Sequence, residues 1–171
     1  MTRDLFERMV RIAGENLEYA YDLMRSLAFD DFDFLLYCAL VRAYKKSIPT
    51  FTANRLYQWI TGDDEATVSK EMAENISRRL EKMASTLVTL DLTEAVKEYD
   101  TVKEDSLRKI TGSLIELHSV EVEWGDKKYE IFRLLGEPIL RIYAQVVLDA
   151  VAVRELKEKI KMLFSENKGS S

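Results

Sequence analysis

Apolar residues recur at intervals of three and four along the first part of the chain. Leu5, Phe6, Met9, Val10, Ile12, Leu17, Ala20, Leu23, Met24 and Leu27 keep near-helical spacing, which predicts an amphipathic helix from about Arg3 to Leu27, weakened locally by Gly14. The acidic cluster Asp30-Asp31-Phe32-Asp33 then offers an N-cap and first-turn carboxylates for a second helix. That helix is expected to be more buried, since Phe34 to Leu40 is apolar throughout, and to end near Lys46. Arg42, Lys45 and Lys46 in its last turn carry the sign that a helix C-terminus favours. Ile48-Pro49-Thr50-Phe51 is too short for a helix, and Pro49 biases Ile48 towards extended backbone. Thr52 caps a short helix from Ala53 to Thr61 that stops at Gly62. Ser69 caps a longer one to about Ser85, with Met72, Ile76, Leu80 and Met83 sharing one side.

The period then changes to two. Thr86 to Leu92 is rich in β-formers and reads as a strand. Thr93 to Lys109 is polar and mixed, a long loop with room for one helical turn at Thr93 to Glu98. Leu114 to Trp124 alternates again, Gly125-Asp126-Lys127 signals a turn, and Tyr129 to Leu134 supplies the partner strand. Gly136 breaks that strand, and Pro138 suits the first turn of a final helix reaching about Phe164, with residues 165–171 expected as a disordered tail. A helix pair followed by a hairpin is the layout of a winged helix. The expected fold is therefore α+β: a helix-turn-helix plus a β-hairpin wing, with additional N- and C-terminal helices, in one domain over residues 1–164.

Composition narrows the picture. A chain of 171 residues with 47% hydrophobic residues, 32% charged residues and two prolines suits one compact unit with little linker. The lone Cys38 excludes an internal disulfide or a multi-cysteine metal site, and its apolar surroundings predict a buried thiol. No apolar run approaches the ~18 residues that span a bilayer. The start, Met1-Thr2-Arg3-Asp4, lacks a basic-then-apolar signal pattern, so the expected location is cytoplasmic. Net charge matters most. Phosphate contacts supply much of the affinity of DNA-binding domains, yet this chain carries −5, so any nucleic-acid surface must be a local patch.

Catalytic signatures are missing. The chain holds no G-x-G-x-x-G and no G-x-x-x-x-G-K-[ST] phosphate loop. Asp63-Asp64-Glu65 has no accompanying histidine or calcium-loop pattern and reads as a solvated turn. His118, the single histidine, falls in a predicted strand, where a packed or exposed ring is expected over a catalytic one. The expectation is a binding protein with no enzymatic activity, no cofactor, no metal and no small-molecule substrate. Its candidate site is the helix pair. With Met72, Ile76, Leu80 and Met83 inward, Lys70, Glu71, Glu74, Asn75, Arg78 and Lys82 face outward. Asn75 could pair with adenine, Arg78 or Lys82 could reach guanine or phosphate, and Lys127 and Lys128 could contact phosphate from the wing. Other residues oppose this. Glu74 precedes Arg78 by four, the favourable order for an intrahelical pair, while Glu71, Glu74 and Glu81 would repel phosphate. Double-stranded DNA and a protein partner both stay open. The apolar terminal helices could pack together or form a homodimer.

Three segments resemble a known family. They are "FTANRLYQWITG" (Phe51 to Gly62), "ISRRLEKMASTLVTLD" (Ile76 to Asp91) and the stretch Glu123 to Ala144 with "FRLLGEPILRIYA", about a third of the chain. These diffuse patterns of apolar and small residues are similar to the N-terminal winged-helix domain of replication-initiator-like proteins of Gram-positive plasmids and integrative elements. Such proteins commonly carry two winged-helix domains, one for dimerisation or partner contacts and one for specific DNA binding. This chain matches only the first, as an N-terminal fragment or a shortened relative would. The resemblance implies a DNA-binding or dimerisation domain of a mobile-element replication or regulatory protein. A transcriptional regulator and a protein–protein interaction module without direct DNA binding are the alternatives.

Overall fold

Gly14 divides the first expected helix in two. Helix α1 (Arg3–Ala13) begins where the Thr2 hydroxyl accepts the Leu5 N–H at 3.2 Å and ends at Gly14, whose φ of 71° is left-handed. A glycine takes that conformation at no steric cost, so the chain turns there and α2 (Glu18–Ser26) sets off separately. Leu5, Met9 and Ile12 of α1 are buried, whereas Phe6 and Val10 are exposed.

The computed structural model describes residues 1–91, 109–141 and 159–163. The protein is α+β. The chain divides into two compact units, Met1–Leu87 with Ser113–Arg141 and Val88–Gly112 with Ile142–Ser171. In the first, α3 (Asp31–Lys45) is the central helix, and nearly every residue from Asp33 to Ala43 is buried. The uninterrupted apolar run forces this, since a helix apolar all round must be covered all round. Helices α1 and α4 (Ala53–Thr61) pack on it. A reciprocal capping box between Asp30 and Asp33 starts α3, each side chain accepting the other's backbone N–H at 2.9 Å.

Arg11 links α1 to the end of α4, donating to the Ile60 carbonyl at 2.7 Å. Gly62 closes α4 at φ 76°, and a Cβ there would stand 2.8 Å from the Arg11 guanidinium. Helix α5 (Lys70–Ala84) follows, capped by Ser69 and burying Ile76, Leu80 and Met83. The three-stranded sheet of this unit has the order β1 (Thr50–Phe51), β5 (Lys127–Leu134), β4 (Leu117–Trp124), with antiparallel pairing. Phe51 stacks on Phe132 at 6.4 Å between centroids and leans on Trp59 at 6.3 Å, which fastens the sheet to α4. Positive φ in the β4–β5 turn is confined to Gly125, as a II′ hairpin demands.

Two predicted boundaries shift. The expected strand from Leu114 to Trp124 begins only at Leu117, because Leu114 and Ile115 are both buried, which alternating strand geometry forbids for neighbours with one face covered. Leu114 N–H instead donates to the Thr86 carbonyl at 2.9 Å. Lys109, read as the end of the loop, instead begins β3 (Lys109–Ser113), which forms a two-stranded sheet with β2 (Leu87–Asp91). In the second unit the Thr89 and Thr111 hydroxyls of these strands lie 3.1 Å apart. Residues 139–141 and 159–163 are helical. The suggested turn at Thr93 to Glu98, the middle of the final helix with its proposed dimer face, and the tail lie outside the described residues. Among the described residues, no helix is long and apolar enough to cross a membrane.

Candidate functional site

The helix pair is held by its connection. Gln58 donates its side-chain amide to the Ala66 carbonyl at 3.0 Å, and the Asn54 side-chain oxygen accepts the Val68 N–H at 2.9 Å. Between them Asp63, Asp64 and Glu65 form an exposed turn in which Asp63 accepts the Glu65 N–H at 2.9 Å. The Asp63 carboxylate thus serves local backbone, as in an Asx turn.

Of the candidates Lys70, Asn75, Arg78, Lys82, Lys127 and Lys128 for DNA contact, Asn75 and Lys82 also bond to other parts of the fold. The Asn75 side-chain oxygen accepts from Arg79 Nε at 2.8 Å. Lys82 donates to the Ala28 carbonyl at 3.3 Å and lies 4.5 Å over the Phe29 ring. Both therefore contribute to the contact of α5 with the segment that leads into α3, Lys82 while remaining exposed and Asn75 while half-buried. The reason is helical geometry: Asn75, Arg79 and Lys82 follow one another by four and three residues, which lines them up on the flank facing that segment.

Arg79 is the residue that outward-face counting missed. Its Nη1 reaches both Asp30 oxygens, at 2.7 and 2.9 Å, and Asp33 Oδ1 at 2.9 Å, and its guanidinium covers Phe32 at 4.9 Å. Partial burial pushes the Asp30 carboxyl up, but the Arg79 hydrogen bonds and charge and the Asp33 N–H outweigh it, so the group titrates below the usual aspartate range. The sequence signal was the acidic cluster at residues 30–33, which needed a cation from elsewhere in the chain.

The hairpin has two unlike faces. Strand register places Val120 beside Ile131, Val122 beside Tyr129 and Trp124 beside Lys127 on one face. Val120, Tyr129 and Trp124 are 48%, 47% and 79% exposed there. On the other face, Phe132 and Leu134 are buried at the base, Ser119 donates to Glu130 at 2.6 Å, and Lys128 lies 3.6 Å from Glu123. Glu121 stands directly opposite Glu130. Like charges opposed across two strands destabilise the pair.

That second face, α5 and the start of α4 enclose an open cleft of about 780 Å³. Ala53, Val68 and Ala73 contribute apolar wall; Lys70, Arg78 and Lys128 contribute three cations; Glu74, Glu121 and Glu130 contribute three carboxylates. The intrahelical pair suggested by Glu74 and Arg78 does not form. Of the sequence-derived candidates, the structure thus brings together Lys70, Arg78 and Lys128 in the cleft and places Lys127, Asn75 and Lys82 outside its lining, the last two on the flank of α5 that meets the start of α3. No protein family, curated protein or solved structure matches the chain.

Proposed function

We propose that this chain is a winged-helix interaction module that binds a polypeptide partner in the cleft between α5 and the hairpin. In this reading α4 and α5 are the helix-turn-helix and β4 with β5 is the wing. The balance of three cations against three carboxylates around an apolar wall is the observation that supports it. A DNA backbone in the same place would meet Glu74, Glu121 and Glu130 together with the cations, so little net counterion release would drive binding. A polypeptide carrying both signs and apolar side chains suits such a lining.

Double-stranded DNA is the second reading, favoured by Lys70, Arg78 and Lys127, which have no ion-pair partner among the described residues. It would make the chain the mobile-element replication or regulatory domain that the family resemblance implies. One pair of measurements separates the two. A displayed random-peptide library is selected on the protein, and random-sequence duplex is titrated by fluorescence anisotropy at low and moderate salt. The expected result is a set of peptides whose affinity drops at least tenfold with Arg78→Glu, and no saturable duplex binding. Duplex affinity that falls steeply with salt and weakens with Lys70→Ala and Arg78→Ala would replace the polypeptide reading with the DNA one.

A further inference from the structure

Strand β4 is terminal in its sheet, and among the described residues nothing pairs with its outer edge. It pairs with β5 along all eight of its residues, longer than the usual five or six of a strand. Which backbone groups point outward follows from one bond on the far side of the sheet. Leu134 N–H donates to the Pro49 carbonyl, away from β4, so Leu117 and Leu134 form a non-hydrogen-bonded pair. By alternation, the N–H and C=O groups of Leu117, Ser119, Glu121 and Glu123 face outward along the open edge.

Natural proteins protect such edges with bulges, prolines, lysines or a covering element. Leu117–Trp124 contains no proline or lysine, and its pairing with β5 runs without a bulge. Its side chains instead form two stripes, apolar Val120, Val122 and Trp124 on one face and acidic Glu121 and Glu123 on the other. The acidic stripe is under-neutralised. Lys128 pairs with Glu123, whereas Glu121 has no cation partner among the described residues and faces Glu130.

We propose that the outer edge of β4 takes up an extended segment of a partner polypeptide as an added strand, one in which Lys or Arg alternates with apolar residues. The inference rests on the polypeptide reading above and specifies the conformation and charge of the part of the partner that lies along β4, while the acidic side chains that Arg78 would meet belong to the part seated in the cleft. Basic side chains of the added strand would lie beside Glu121 and Glu123, and its apolar side chains would continue the Val120–Val122–Trp124 stripe. A second copy of this chain fits less well. In the registers that overlap most of the strand, a two-fold axis brings Glu121 and Glu123 opposite or diagonal to their own symmetry mates.

The test uses the whole chain and a fluorescein-labelled octapeptide alternating lysine and valine. Binding at least tenfold tighter than that of a peptide of the same composition with its lysines and valines in separate blocks, and of a glutamate–valine counterpart, is expected. N-methylation of alternate residues in one parity should abolish binding, and in the other parity should leave it intact, because only one parity hydrogen-bonds to the edge. Glu121→Lys with Glu123→Lys should shift the preference to the glutamate–valine peptide. Equal binding of the alternating and block peptides, or tolerance of N-methylation in both parities, would overturn strand addition. If peptides selected from the library still depend on Arg78 in that case, the cleft reading stands without it. Sedimentation showing a dimer that Glu121→Lys stabilises would give the edge to a second copy and would also overturn the proposal.

Discussion

Arg79 shows how a single side chain can join parts of the fold distant in sequence. It satisfies the capping box of α3 from the flank of α5 and is itself oriented by Asn75. Asp33 is buried, and without the guanidinium its carboxylate would lack a charged partner. Arg79→Ala should cost about 2 kcal/mol in urea unfolding at neutral pH, below the range for fully buried pairs because Arg79 is partly exposed. The pH dependence has a definite sign. Asp30 titrates lower when folded, so its contribution is present above the unfolded carboxyl value, near 4, and is lost as pH falls through the folded one. Wild type and Arg79→Ala should therefore converge in stability in acid. Gly62 is a second such position. Gly62→Ala places a Cβ in left-handed backbone and against Arg11, and a loss of about 1–2 kcal/mol is expected in the same assay.

Among the elements, the hairpin combines a fixed base with an uncovered tip. Phe132 is buried against Phe51, whereas Trp124 is 79% exposed. Phe132→Ala should thus destabilise the protein by about 3–4 kcal/mol through the cavity it leaves. Trp124→Ser should change stability by less than about 0.5 kcal/mol. The second substitution should still weaken the alternating lysine–valine peptide, so urea midpoints and peptide affinity measured on both variants separate folding from binding. An exposed tryptophan that contributes little to stability is what a contact surface would present.

At the scale of the whole molecule, the interior helix α3 makes stability depend on alkaline pH. Burial raises the titration of both Tyr37 and Cys38 well above their ordinary values, so each is held neutral in the folded state. The sign is opposite to that of Asp30. Their contribution is complete below the unfolded thiol value, about 8.5, and is progressively lost as pH rises through the unfolded tyrosine value, about 10, towards the folded values. Urea midpoints should fall steeply above about pH 9. The Tyr37 hydroxyl lies near the backbone of Leu140 and Arg141 but makes no hydrogen bond of good geometry. Tyr37→Phe should therefore be nearly neutral at pH 7 and lessen the alkaline loss, and unchanged alkaline behaviour would count against this origin.

The sequence by itself determined the local elements. Capping residues Asp30, Thr52 and Ser69 start helices where they were expected to or close by, and Gly62 and Gly125 stop or turn the chain as read. Propensity, caps and apolar period act over a few residues and are legible without a fold. Gly14 was visible too, but spacing alone does not reveal whether a glycine is tolerated in a helix or ends it. Tertiary structure decided everything that depends on two distant segments meeting. Burial of both Leu114 and Ile115 cut the expected strand short, and the acids Asp30 and Asp33 paired with Arg79 of α5. The same folding set Arg78 and Lys70 across one cleft from Glu121 and Glu130, so a helix face whose pattern suggested a basic surface is one wall of a mixed-charge cleft. Electrostatic character belongs to the assembled surface, and a helical pattern carries only half of it.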